Sequence, residues 1–151
     1  MTLIDKNELL KSCHQIIDNK IDLANHTMEL AEESAHEESK SSVGDKYETG
    51  RAMAQQEKDK ASIQLAELQK LKRILTSLSA EDSCDVVEPG AFVRTNMGDF
   101  FVATSVGEVK LKQGKVFVIS PISPLIQAML GKKKGDEVEL NGRKFQIQDI
   151  Q

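Results

Sequence analysis

Ser79-Ala80-Glu81-Asp82-Ser83 is where this chain changes character. Of its 151 residues, all five Phe, all three Pro and seven of the nine Gly lie after residue 80. Before that point Tyr47 is the single aromatic and Pro is absent; Lys, Glu, Gln, Ala, Leu and Ser dominate. A Gly- and Pro-poor segment joined to one carrying Phe, Gly and Pro predicts helices over 1–79 and a β-rich domain over 80–151. The expected class is therefore α+β.

Working back from the junction, Ala54, Ala61, Leu65, Leu68, Leu71, Leu75 and Leu78 recur at steps of three, four and seven, the repeat of one helix face. Further upstream Leu9, Cys13, Ile16, Ile17, Ile21, Ala24, Met28, Ala31 and Ala35 make a second such face. Asp5 and Glu8 have the spacing of an N-terminal capping box ahead of it. Lys40-Ser41-Ser42-Val43-Gly44 interrupts the periodicity with small polar residues and a Gly. Two helices of about 30 residues, each roughly 40–50 Å long, are expected to pack as an antiparallel hairpin, a two-stranded coiled coil. Its apolar positions are large far from the break (Ile16, Ile21, Leu71, Leu75) and small near it (Ala31, Ala35, Ala54, Ala61). Close approach of the arms near the tip makes a slender projection.

Gly44-Asp45-Lys46-Tyr47-Glu48 puts two carboxylates three residues apart at that tip. Both suit the start of the second helix, where the macrodipole favours negative charge. Two readings stay open on these residues alone. Asp45 and Glu48 can be an N-cap and its capping-box partner. They can equally offer oxygen ligands to magnesium, which needs only one or two carboxylates when phosphate and water complete its octahedron.

Working forward from the junction, short apolar runs alternate with turn residues. Ala91–Thr95, Asp99–Ala103, Gly107–Val109 and Lys115–Ile119 read as strands, followed by a hairpin of Glu137–Leu140 and Lys144–Ile150 turned at Asn141-Gly142. Between them Ser123 caps a short helix, with Pro124 at its first position, Leu125–Leu130 as its body and Gly131 as its stop. The expected product is a small antiparallel sheet with one helix packed on it. Lys132-Lys133-Lys134 follows that helix, and Arg143 and Lys144 can join it in space. The patch reads either as a solvated loop or as a contact for an acidic surface or RNA.

Several classes are excluded. No stretch reaches the ~20 apolar residues that span a bilayer, and the N-terminus lacks a signal-peptide pattern, so the expected compartment is the cytoplasm. A net charge of −4 argues against coating nucleic-acid phosphates as the main task. Cys13 and Cys84 sit in different halves without CxxC spacing, so neither a disulfide framework nor a zinc site is expected. His14, His26 and His36 are spaced 12 and 10 residues apart, which scatters them around a helix.

Taken together, these residues resemble the bacterial Gre-type transcript cleavage factors, the GreA/GreB family. Ser123-Pro124-Leu125-Ile126 through Leu130-Gly131-Lys132-Lys133, then Gly135-Asp136-Glu137-Val138, is similar to the family's SP-x-x-x-x-L-x-G-K and GD-x-V stretch. The Gly44-Asp45-x-x-Glu48 tip resembles the family's acidic loop. The resemblance implies a helical hairpin followed by a small FKBP-like globular domain. It implies docking of that domain on RNA polymerase, with Ser123, Pro124, Leu125, Lys132 and Lys133 as contact residues and the hairpin reaching down the secondary channel. Asp45 and Glu48 would help hold the second catalytic magnesium, shared with the polymerase, while it cuts backtracked RNA near its 3′ end. The chain would then be a monomeric activator in trans rather than an enzyme. The tip departs from the family where Thr49-Gly50-Arg51-Ala52 stands in place of Asn-Ala-Glu-Tyr. The first arm is also rich in acid, with Glu29, Glu32, Glu33, Glu37 and Glu38.

Three other functions compete with that reading: a channel-binding regulator that does not promote or inhibits cleavage, a coiled-coil adaptor, and a peptidyl-prolyl isomerase. The last needs an aromatic-lined pocket, whereas Phe92, Phe100, Phe101, Phe117 and Phe145 are spaced as strand positions of a core.

Overall fold

A computed structural model describes residues 3–39 and 44–151, with side chains described outside 37–48. Helix α1 runs Lys6–Ser39 and α2 runs Gly44–Ser77, two long packed helices on either side of the expected break. The break itself, Lys40 to Val43, lies outside the described residues. The chain divides into two compact units, Met1–Ile16 with Leu71–Gln151, and Ile17–Lys70.

The unit Ile17–Lys70 is built from α1 after Ile16 and α2 before Leu71. Its buried positions are Ile17, Ala24 and Ala31 on α1 and Ala54, Ala61 and Leu68 on α2. The large residues thus give way to alanines in the direction of the break on both arms, as the sequence pattern predicts. Beside the seam, Lys58 Nζ meets Glu32 Oε1 at 2.6 Å. Among the described residues no helix is long and apolar enough to cross a membrane.

The other unit holds the helix ends and the β domain. Asp5 Oδ1 accepts from the backbone N–H groups of Asn7 (3.0 Å) and Glu8 (3.3 Å), so the Asp5 half of the capping box forms. Leu9, Leu10, Cys13 and Leu75 are buried at this end. Six strands follow: β1 (Phe92–Thr95), β2 (Gly98–Val102), β3 (Gly107–Leu111), β4 (Gly114–Ile119), β5 (Glu137–Leu140) and β6 (Arg143–Ile150). A short helix, α3 (Pro124–Met129), lies between β4 and β5. The sheet order is β3-β4-β2-β1-β6-β5.

The sheet is mixed, where the sequence pattern predicts an antiparallel one. Every pairing is antiparallel except β2 with β4, which run parallel through Phe100↔Phe117 and Val102↔Ile119. The cause is that the β3–β4 hairpin offers β4, not β3, to the edge of β2. Direction then follows from connectivity, since β3 reverses the chain and β4 reverses it again.

Alternation along the strands gives the sheet two buried faces. Val93, Phe100, Val102, Val138, Phe145 and Ile147 share a core with Ile126 and Met129 of α3. Phe92, Phe101, Val109, Val116 and Val118 are buried on the opposite face. Asn141 and Gly142 both take positive φ (52° and 78°), the conformation of the tight turn their sequence predicts.

Candidate functional site

The most completely determined part of the expected docking surface is the start of α3. Ser123 has extended backbone (φ −66°, ψ 147°), and its Oγ accepts from the Ile126 N–H at 3.3 Å. Pro124 occupies the first turn, where no N–H is needed. Gln127 donates from Nε2 to the Pro121 carbonyl at 2.6 Å, which ties the loop before the helix to its body. Ile126 and Met129 are fully buried, so they fix which side of this short helix faces the core. Leu125 is therefore half-buried at the rim, Pro124 is exposed, and Ile122 is 84% exposed. Beside Leu125 an open cleft of about 480 Å³ is lined by Met97, Leu140, Asn141, Arg143 and Phe145.

Downstream, Leu130 closes the helix by donating to the Ile126 carbonyl, and Gly131 at φ +78° turns the chain away. Lys132 and Lys133 are then held through their backbones. The Val87 N–H donates to the Lys132 carbonyl at 2.9 Å, and the Lys133 N–H donates to Asp136 Oδ2 at 2.8 Å. Their side chains extend from a fixed ledge, half-buried for Lys132 and exposed for Lys133. Lys134 pairs with Asp149 (3.8 Å) and Lys144 with Glu137 (3.8 Å), while Arg143 lines the cleft by Leu125. An apolar rim, a cleft and flanking lysines on one short helix and its exit can receive a partner surface that is apolar at its centre and acidic at its edge.

The tip carboxylates are placed only by their backbone. Helix α2 begins at Gly44, so Asp45 and Glu48 occupy its first turn at i and i+3, neighbouring positions of one helix surface. Their side chains lie outside those described. Among the described residues no group of three or more His, Cys, Asp and Glu converges to hold a metal. Two carboxylate-bearing residues one turn apart fit magnesium as hard oxygen donors. They are too few to hold it alone.

One residue that the sequence pattern does not single out organises the β domain. Lys6, at the first turn of α1, is 7% exposed, and its Nζ donates to the carbonyls of Asp82 and Gly90 at 2.9 Å each. Burial holds its ammonium below the ordinary value of 10.5, against the stabilising charges of Cys84, Asp82 and Glu88. The Cys84 thiol is pushed up by burial and drawn back by Lys6. Nothing in the local sequence distinguishes Lys6 from the solvated lysines around it. A cavity of about 450 Å³ opens beside this seam, with Leu3, Asp82, Cys84 and Gln151 among its walls. Cys13, on the apolar face of α1 as expected, is pushed up to about 12 by burial.

Comparison with known proteins adds one finding. Residues 82–151 match the family model described as transcription elongation factor, GreA/GreB, C-terminal. No curated protein matches the chain.

Proposed function

We propose that the chain binds RNA polymerase through residues 82–151, which match the GreA/GreB C-terminal family model, and acts at the secondary channel on backtracked transcripts. The family match over that domain is the observation that carries the reading. The docking part, 80–151, engages the polymerase with Ser123, Pro124 and Leu125 at the rim of the α3 cleft and with Lys132 and Lys133 on the adjacent ledge. The hairpin, 1–79, enters the channel.

Asp45 and Glu48 then carry the chemistry. Their place in the first turn of α2 supports this, because a helix N-terminus favours the ionised carboxylates that a cation requires. The magnesium shared with the polymerase, when bound, stabilises the entering and leaving oxygens of an in-line displacement at phosphorus. The two carboxylates of this chain supply oxygen ligands and accept hydrogen bonds from the attacking water. The chain is thus an activator in trans of the polymerase's own nuclease. The alanines near the hairpin break (Ala24, Ala31, Ala54, Ala61) support entry into a narrow passage, since they let the arms lie close together.

One observation favours a second reading, in which the hairpin occupies the channel without promoting cleavage. The first arm carries Glu29, Glu32 and Glu33 in its last described turns, and Glu32 already engages Lys58, so little positive charge is offered to RNA there. Transcript cleavage in defined stalled complexes separates the two, with polymerase binding measured alongside. The first reading expects added chain to accelerate cleavage, and the second expects binding with cleavage unchanged or slowed.

A further inference from the structure

From the β3–β4 hairpin we infer that this domain contacts single-stranded RNA on the face carrying Lys110, Lys115 and Phe117. The register places Lys110 directly opposite Lys115, and Glu108 opposite Phe117. Both lysines are exposed, and like charges facing each other across two strands repel. Lys112, at the two-residue turn joining the strands, adds a third positive charge. Glu108 pairs with Lys115 at 3.7 Å. Among the described residues Lys110 and Lys112 have no ion pair. Such a concentration of unbalanced charge, in a chain of net charge −4, is relieved by an anionic partner.

Phe117 says which anion. It lies two residues from Lys115 and so shares its face, and it is 38% exposed where the strand pattern predicts a core position. Its ring is braced on one side by Phe100, with centroids 6.0 Å apart and planes tilted 34°. A supported aromatic ring beside a row of ammonium groups is the arrangement that stacks a base while lysines track the phosphates. An acidic peptide would satisfy the lysines and leave the ring unused. Lysines on an edge strand also deter edge-to-edge pairing, and β3 is an edge, but that role requires no exposed ring. The choice of RNA over DNA rests on the polymerase reading above; the nucleic-acid contact itself does not.

The test uses the free full-length chain, so its failure is separate from any failure to bind polymerase. A labelled 12-nucleotide oligouridylate is titrated by fluorescence anisotropy at several salt concentrations. Three lysine contacts predict a slope of log affinity against log salt of about −2. Lys110→Gln/Lys112→Gln should cut affinity roughly tenfold and bring the slope to about −0.7. Phe117→Leu should weaken binding at least about fivefold with the slope unchanged, and Phe117→Tyr, which keeps the ring, should retain it. Absence of binding, a slope untouched by the lysine substitutions, or wild-type affinity in Phe117→Leu each overturns the inference. A deoxyribose oligomer bound more tightly than the RNA overturns the choice of RNA.

Discussion

Replacing Lys6 by Met should unfold the β domain more readily than any surface change of equal size. The substitution keeps the aliphatic stem and removes the ammonium, which bonds the Asp82 and Gly90 carbonyls at 2.9 Å. Hydrogen bonds to a charged group are worth about 1.5–3 kcal/mol each, so the gross loss is roughly 3–6 kcal/mol. Against it stands the relief of a buried charge, whose cost is visible in the lowered pKa of Lys6. The two carbonyls do not suffer equally. The bond to Gly90 is buried, whereas that to Asp82 is part-buried and water can replace it. Gly90 cannot simply turn its carbonyl away, because its φ of +92° belongs to the turn closed by the Ala91 N–H on the Glu88 carbonyl, and its own N–H is held by the Val102 carbonyl. One unpaired buried carbonyl and one partly rescued carbonyl leave a net cost of about 2–4 kcal/mol. For a chain of this length that lowers Tm by about 5–15 °C. Urea and thermal unfolding of wild type and Lys6→Met measure it. A cost below about 0.5 kcal/mol, the level of an ordinary surface substitution, would refute the idea that Lys6 anchors this joint.

Other outcomes follow from the same geometry. Ser123→Ala removes the cap of α3 and should cost about 1 kcal/mol in chemical denaturation, with Ser123→Asp recovering most of it. Cys13 has a folded-state pKa raised to about 12 from 9.0, so the unfolded thiol ionises first. Its contribution is fully present below pH 9.0 and is lost as pH rises through about 12. Denaturation midpoints across that window should fall less steeply in Cys13→Ala than in wild type. Leu125→Asp puts a charge on the half-buried rim of the α3 cleft. It should weaken polymerase binding roughly tenfold or more in a binding titration, because truncating or charging a central apolar contact removes about 1–2 kcal/mol or more.

How far the sequence carries depends on which interactions set each feature. Helix extents are legible because alanine and leucine steps report directly on a buried seam, and the helix ends at Ser39 and Gly44 fall where that periodicity lapses. The α3 cap, its Pro124 and the Asn141-Gly142 turn are legible for the same local reason: each residue type is demanded by the backbone it occupies. The parallel β2–β4 pairing is not, since strand order depends on which side of a hairpin meets its neighbour, a choice that no local pattern encodes. Lys6 is illegible too. Its partners are backbone carbonyls 76 and 84 residues away, and carbonyls carry no sequence signal. Phe117 misleads, because alternation assigns it to a face without saying how much of that face the rest of the domain covers. The cleft beside α3 stands between these cases, with the helix that borders it readable and the contributions of Met97 and Phe145 to its lining supplied only by folding.

The central claim is that Asp45 and Glu48 bring carboxylates to a magnesium of the polymerase. The most direct measurement is the rate of RNA 3′ cleavage in a defined backtracked complex, at saturating chain, for wild type and for Asp45→Asn/Glu48→Gln. The account predicts that wild type accelerates cleavage and that the double variant loses roughly 10–100-fold of that acceleration while binding polymerase equally well. A double variant that cleaves as fast as wild type would contradict it.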